Sequence, residues 1–106
     1  MITIETLVVQ VRGLDRTALE RWIDAALVRP DGEPGDWRFR DIDVARVRLI
    51  VELRREMHVE ERTLPLVLSL LDQLYDARRA MRRLGTAMAG VDEATRARLR
   101  AMLDEP

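Results

Sequence analysis

WRFRDIDVARVRLIVELRREM, residues 37–57, changes hydrophobic period once along its length, and that change decides the fold. Trp37 and Phe39 alternate with Arg38 and Arg40, the pattern of a strand with one inward face. From Asp41 the period lengthens. Val44, Val47, Leu49, Ile50, Val51, Leu53 and Met57 cover more than half of a helical circumference, and Arg48, Glu52, Arg55 and Glu56 form the polar strip. Asp41 or Asp43 can cap this helix. A short strand feeding an Arg/Leu-rich helix predicts a small hairpin packed among helices.

Upstream, DGEPGD at residues 31–36 is a turn, so the strand at Trp37 gains a hairpin partner. Before it, Asp15 precedes a segment with Leu19, Trp22, Ile23, Ala26 and Leu27 at helical spacing. Ile4, Leu7, Val8 and Val11 form another stripe with Thr3 as its cap, although the β-branched pair Val8-Val9 also suits a strand. Two short helices around Gly13 read as helix-turn-helix. Downstream, Thr63 can cap a helix with Pro65 in its first turn and Gly85 as its stop. A last short helix spans Asp92 to Leu103. The expected architecture is therefore mainly all-α: helix-turn-helix over 3–27, a two-stranded wing over 28–40, and helices over 41–58 and 63–84. Together these make a domain of residues 1–84, followed by an extension over 85–106.

Composition narrows the function. Of 106 residues 47% are hydrophobic, which fits one globular domain, and no apolar run approaches the ~20 residues of a membrane span. There is no cysteine, which excludes disulfides and thiolate metal sites. The N-terminus lacks a basic region and a cleavage site, so a cytoplasmic protein is expected. The formal net charge is -1, unlike a general DNA binder, and every one of the 18 basic residues is Arg. His58, the single histidine, lacks ligand spacing and reads as structural or solvated. Gly32 and Gly35 have neither the Lys nor the strand-to-helix setting of a phosphate loop, and no Ser or Thr stands with a base. No catalytic residue, metal site or cofactor is expected. The chain should act by binding a macromolecule rather than as an enzyme.

Two features of the last third suggest where. Leu64, Leu66, Val67, Leu68, Leu70, Leu71, Leu74 and Tyr75 fill an arc of roughly 200°, wider than the ~100° that one neighbouring helix covers. The surplus either packs on several helices of its own domain or forms a second contact. Val67, Leu71, Leu74, Arg78 and Met81 follow coiled-coil spacing, with Arg78 an awkward member, and nominate a homodimer seam. Asp72 and Asp76 are four apart and repel, as Glu56 and Glu60 do in the preceding segment. These faces are either solvated or the docking surface for a basic partner.

The segment from Trp37 to Val59, with TALERWIDAALVRP (residues 17–30) before it, resembles the wing, flanking helices and exit loop of MerR-type regulators. That resemblance implies a winged helix-turn-helix and, as one alternative, a DNA-binding transcription regulator. Where those regulators place an Arg followed by aromatics, this chain has Glu20-Arg21-Trp22, with Asp24 in the same helix, and an acid there opposes a polyanion. VEERTLPLVLSLLDQLYDARRAMRRL, residues 59–84, resembles the Leu-rich helix of the CbpM chaperone-modulator family, and the run from Ile2 to about Leu84 follows that family's order. His58, Glu60 and Thr63 stand where the family often has Gly, Asn and Gly. The resemblance implies binding to the J-domain of a DnaJ/CbpA-type co-chaperone and inhibition by competition with a DnaK-type chaperone. On that basis Glu56, Glu60, Glu61, Asp72 and Asp76 are the expected J-domain contacts. Val67, Leu71, Leu74 and Met81 remain the expected dimer seam. No membrane partner is expected, and nucleic acid is disfavoured without being excluded.

Overall fold

The computed structural model describes residues 1–104. It is mainly helical, with one two-stranded antiparallel sheet and one long helix. The elements are α1 (Ile4–Gln10), α2 (Arg16–Asp24), β1 (Asp31–Glu33), β2 (Asp36–Arg38), α3 (Asp41–Arg55), a single 3-10 turn at Glu61–Thr63, α4 (Leu64–Ala89) and α5 (Glu93–Leu103). They fall into two compact units, Met1–Leu68 and the chain from Ser69 onward.

In the first unit, local signals start most helices. The Thr3 hydroxyl accepts from the Thr6 N–H at 3.3 Å, and an Asp15 carboxylate oxygen accepts from the Ala18 N–H at 2.8 Å. At α3 the acid works backwards. Asp43 Oδ2 accepts from the Arg40 backbone N–H at 2.9 Å, and the same carboxylate holds the Arg40 guanidinium at 3.1 and 3.3 Å. Asp43 is buried, and these bonds offset the cost of taking its charge out of water.

The hairpin pairs Asp31 with Arg38, Gly32 with Trp37 and Glu33 with Asp36. Pro34 and Gly35 (φ 91°) form its two-residue turn, with the positive φ at the second position for which glycine is favoured. Gly32 has φ 94°, and a Cβ there would strike the Asp36 carbonyl. Just beyond β2, Phe39 and Ile2 exchange backbone hydrogen bonds at 2.9 and 3.0 Å, which ties the hairpin to the chain's start.

Ile4 and Leu7 of α1, Leu19 and Trp22 of α2, Val28, Phe39, Val47 and Ile50 of α3, and Leu64 and Leu68 of α4 form the core. The expected alternation holds in the strand segment: Phe39 is 1% exposed and Trp37 half-buried, while Arg38 and Arg40 are exposed. Arginines close the loops. Arg46 Nε donates to the Leu27 carbonyl at 3.0 Å, Arg54 to Val59 at 2.8 Å and Arg55 to Gly13 at 3.3 Å.

Three expectations about helix ends are corrected. Thr63 does not cap α4 with its side chain; it closes the 3-10 turn, which runs directly into Leu64. α3 ends at Arg55, and His58 adopts φ 54°, so the polypeptide leaves the helix before Glu60. Gly85 does not stop α4, which continues to Ala89 and is about 39 Å long at ~1.5 Å per residue.

In the second unit the real stop lies at Gly90. There Arg96 of α5 donates to the carbonyls of Met88 and Val91 at 3.1 and 3.0 Å, completing the helix end. α5 begins at its Asp92 cap, which accepts from the Thr95 N–H at 2.8 Å. A Cβ at Gly85 would meet nothing within 4 Å. Gly85→Ala should therefore raise stability by about 0.5–1 kcal/mol, because the helix no longer carries glycine's excess unfolded-state freedom. Helicity by circular dichroism during thermal melting checks this.

Candidate functional site: the α2–hairpin groove

A groove of about 170 Å³ opens between α2 and the hairpin, lined by Ile4, Arg16, Glu20, Ile23, Asp24, Pro34, Gly35 and Trp37. Drug-sized ligands occupy pockets of about 300–1,000 Å³. This one has the volume for a single long side chain. Its lining is apolar at Ile4, Ile23 and Trp37 and also includes the acidic residues Glu20 and Asp24 of α2.

The electrostatics of α2 follow from its partners. Arg16 donates to Glu20 at 3.1 Å and to Glu5 at 3.3 Å. The hydrogen bond to Glu20 holds the Arg16 guanidinium pKa above its ordinary value. Glu5 is held below the usual carboxylate range, first by a backbone hydrogen bond and then by Arg16. Arg21 makes a two-point contact with Glu61 at 3.2 and 3.1 Å. Both cations of α2 are therefore neutralised within the molecule. Asp24, at the last turn, is exposed and has no ion pair among the described residues.

The five carboxylates expected to dock a basic partner fare unequally. Glu61 is a structural anchor: besides Arg21 it accepts the buried Trp22 indole N–H at 2.8 Å, and Arg54 stands 3.9 Å away. Its pKa is lowered, chiefly by the Arg21 hydrogen bond, against a smaller opposing effect of burial. Glu60 is paired with Arg62 at 2.7 Å. Because α3 ends before them, Glu56 and Glu60 do not share a helical face, which corrects the reading of them as a repelling helical pair. Glu56 is exposed and carries no ion pair among the described residues. In the second unit Asp76 is paired with Arg79, and both Asp72 and Asp76 are exposed on α4. Among the described residues, His58 is solvated, and no group of three or more acidic, His or Cys side chains could hold a metal ion. No helix is long and apolar enough to cross a membrane.

The nominated seam residues also differ. Val67 and Leu71 are half-buried. Leu74 and Met81 are 45% and 72% exposed, as is Leu70 at 56%. Asp24 and Trp37, which the groove brings together, were not singled out as a site by sequence. They lie thirteen residues apart, on a helix and a strand, and only the fold joins them.

No family model, curated protein or solved structure matches this chain.

Proposed function

We propose that this chain is a MerR-like winged helix-turn-helix adapted to protein binding. In this reading it is a non-enzymatic chaperone modulator that docks the J-domain of a DnaJ/CbpA-type co-chaperone and hinders its engagement of a DnaK-type chaperone. The observation that carries the reading is the neutralised α2. In a DNA-binding relative that helix would face the duplex with free cations. Here Arg16 and Arg21 are spent on Glu5, Glu20 and Glu61, and Asp24 is left without a pair. A polyanion gains nothing from such a face; a cationic protein helix does.

The groove supplies the second element. A partner Arg or Lys entering it lays its stem on Ile23 and its charge near the Trp37 indole, with Asp24 also in the lining. Glu56 is a further contact of the same kind. Such docking relies on complementary charge, so it weakens as salt rises. Calorimetric titration of a J-domain into the full chain tests this. Asp24→Arg should weaken binding about tenfold and flatten its salt dependence, with the fold intact because Asp24 is exposed. Unchanged affinity for the folded variant would remove the groove from the interface, and absence of binding by the unaltered chain would remove the reading itself.

A further inference from the structure

The α2–hairpin groove already holds a cation of its own. Arg16 lines it together with Glu20, Asp24 and Trp37. Arg16 Nε donates to Glu20 Oε1 at 3.1 Å, and its Nη1 donates to Glu5 Oε1 at 3.3 Å. The helix itself has no use for a positive charge at this place. Arg16 is the first residue of α2, directly after the Asp15 cap, where a cation opposes the macrodipole. Its side chain and that of Glu20 are each 52% exposed, so their ion pair adds little to the stability of the fold. What the pair changes is the charge of the groove. With Arg16 in place, the lining sets one cation against the carboxylates of Glu20 and Asp24; without it, both acids stand uncompensated.

We propose that Arg16 is a competing internal cation: it occupies Glu20 until the guanidinium of a partner arginine takes its place. The inference rests on the groove being the docking site of the proposed function, and it names the side chain received there and what regulates its entry. The parts of an exchange are present. Glu20 Oε1 is taken by Arg16, whereas Oε2 has no hydrogen bond among the described residues, so an incoming guanidinium can begin on the free oxygen. Arg16 has a second acid to fall back on. Glu5 holds it from outside the groove lining, so its displacement from Glu20 leaves it paired. Trp37 supplies an aromatic surface, on which a flat guanidinium stacks better than a compact ammonium does.

Such an exchange filters partners. An arginine that only replaces Arg16 at Glu20 gains little, because one ion pair is traded for another. An arginine that also meets Asp24 gains a contact that Arg16 does not make, since Asp24 has no ion pair among the described residues. Specificity is a difference of affinities, and the resident cation lowers the affinity of every cation that does not reach both acids.

Titration of the full chain with acetyl-arginine amide, followed through the Trp37 indole N–H by NMR, tests the proposal. The Trp22 indole is buried and bonded to Glu61 at 2.8 Å, so its signal is an internal reference. Acetyl-citrulline amide, of the same shape without the charge, is the blank. Arg16→Gln should tighten binding of acetyl-arginine amide about threefold to fivefold, the worth of one exposed ion pair. Glu20→Gln should weaken binding more in the Arg16→Gln chain than in the unaltered one, because only there is Glu20 free from the start. Unchanged or weaker binding by folded Arg16→Gln, or an equal effect of Glu20→Gln in both chains, would overturn the exchange. A Trp37 signal that responds no more to acetyl-arginine amide than to the citrulline probe would overturn the subsite. Titration of a J-domain in parallel keeps the two readings apart. A chain that shows the exchange but binds no J-domain supports the subsite and refutes the partner. A J-domain that binds with an affinity untouched by Arg16→Gln refutes the exchange and leaves the partner standing.

Discussion

Replacing Phe39 by Ala should lower the stability of the first unit by about 3–5 kcal/mol, the range for deleting a fully buried aromatic side chain. Phe39 is 1% exposed and belongs to the largest fully buried side chains. Its backbone also carries the two hydrogen bonds to Ile2. Deleting the ring therefore empties the centre of the core and loosens the junction of the hairpin with the N-terminus. Small domains have about 5–15 kcal/mol of stability in total, and each kcal/mol shifts Tm by about 4–8 °C at this size. A Tm drop of about 12 °C or more is expected by circular dichroism. A drop under about 4 °C would show that the ring is not packed as described. Because the hairpin forms one wall of the groove, partner binding should weaken in the same variant.

Glu61 is the second site of large effect. Glu61→Ala removes the acceptor of the buried Trp22 indole N–H and both contacts to Arg21 at once. Leaving a buried donor unsatisfied costs about 1–3 kcal/mol. Glu61→Gln should cost less, because its amide oxygen can still accept from the indole. The pair also separates in pH. Glu61 has a lowered pKa in the folded chain, so it stabilises the fold only while ionised. That contribution is complete above the ordinary glutamate value of 4.5 and is lost as pH falls through the lowered folded value. Glu61→Gln should lack this part of the acid-induced loss. Urea midpoints at pH 7 and over the acid range for both chains measure it. Identical pH profiles would show that the charge of Glu61 is not coupled to folding.

What was legible in the sequence was what depends on neighbours three or four residues away. Thr3 and Asp15 were readable as caps because each acceptor serves a donor within the next turn. The hairpin was readable from Pro34-Gly35 and from the alternation of Trp37 and Phe39. Gly85 misled because a glycine inside a helix costs only about 1 kcal/mol. That cost is offset along a 26-residue helix whose end is closed by Arg96, six residues beyond Gly90. Glu56 and Glu60 misled because the positive φ of His58 ends the helical geometry on which their pairing depended.

The candidate site was less legible. The signal for Glu61 lies in Arg21 and Trp22, about forty residues earlier, and no local pattern connects them. Nothing in the order of residues says that Arg16 and Arg21 will be spent internally while Asp24 is left over. The apolar surplus of α4 was visible as an arc, but only the fold shows that Leu64 and Leu68 are the part of it that fills the core.

The most direct test of a protein-directed rather than duplex-directed face is a DnaK-type ATPase assay stimulated by a CbpA-type co-chaperone, with the full chain titrated in at physiological ionic strength. Saturable inhibition that added DnaK relieves, without measurable retention of duplex DNA by the chain, is the predicted result. Undiminished ATPase stimulation together with tight duplex binding under the same salt would contradict the account.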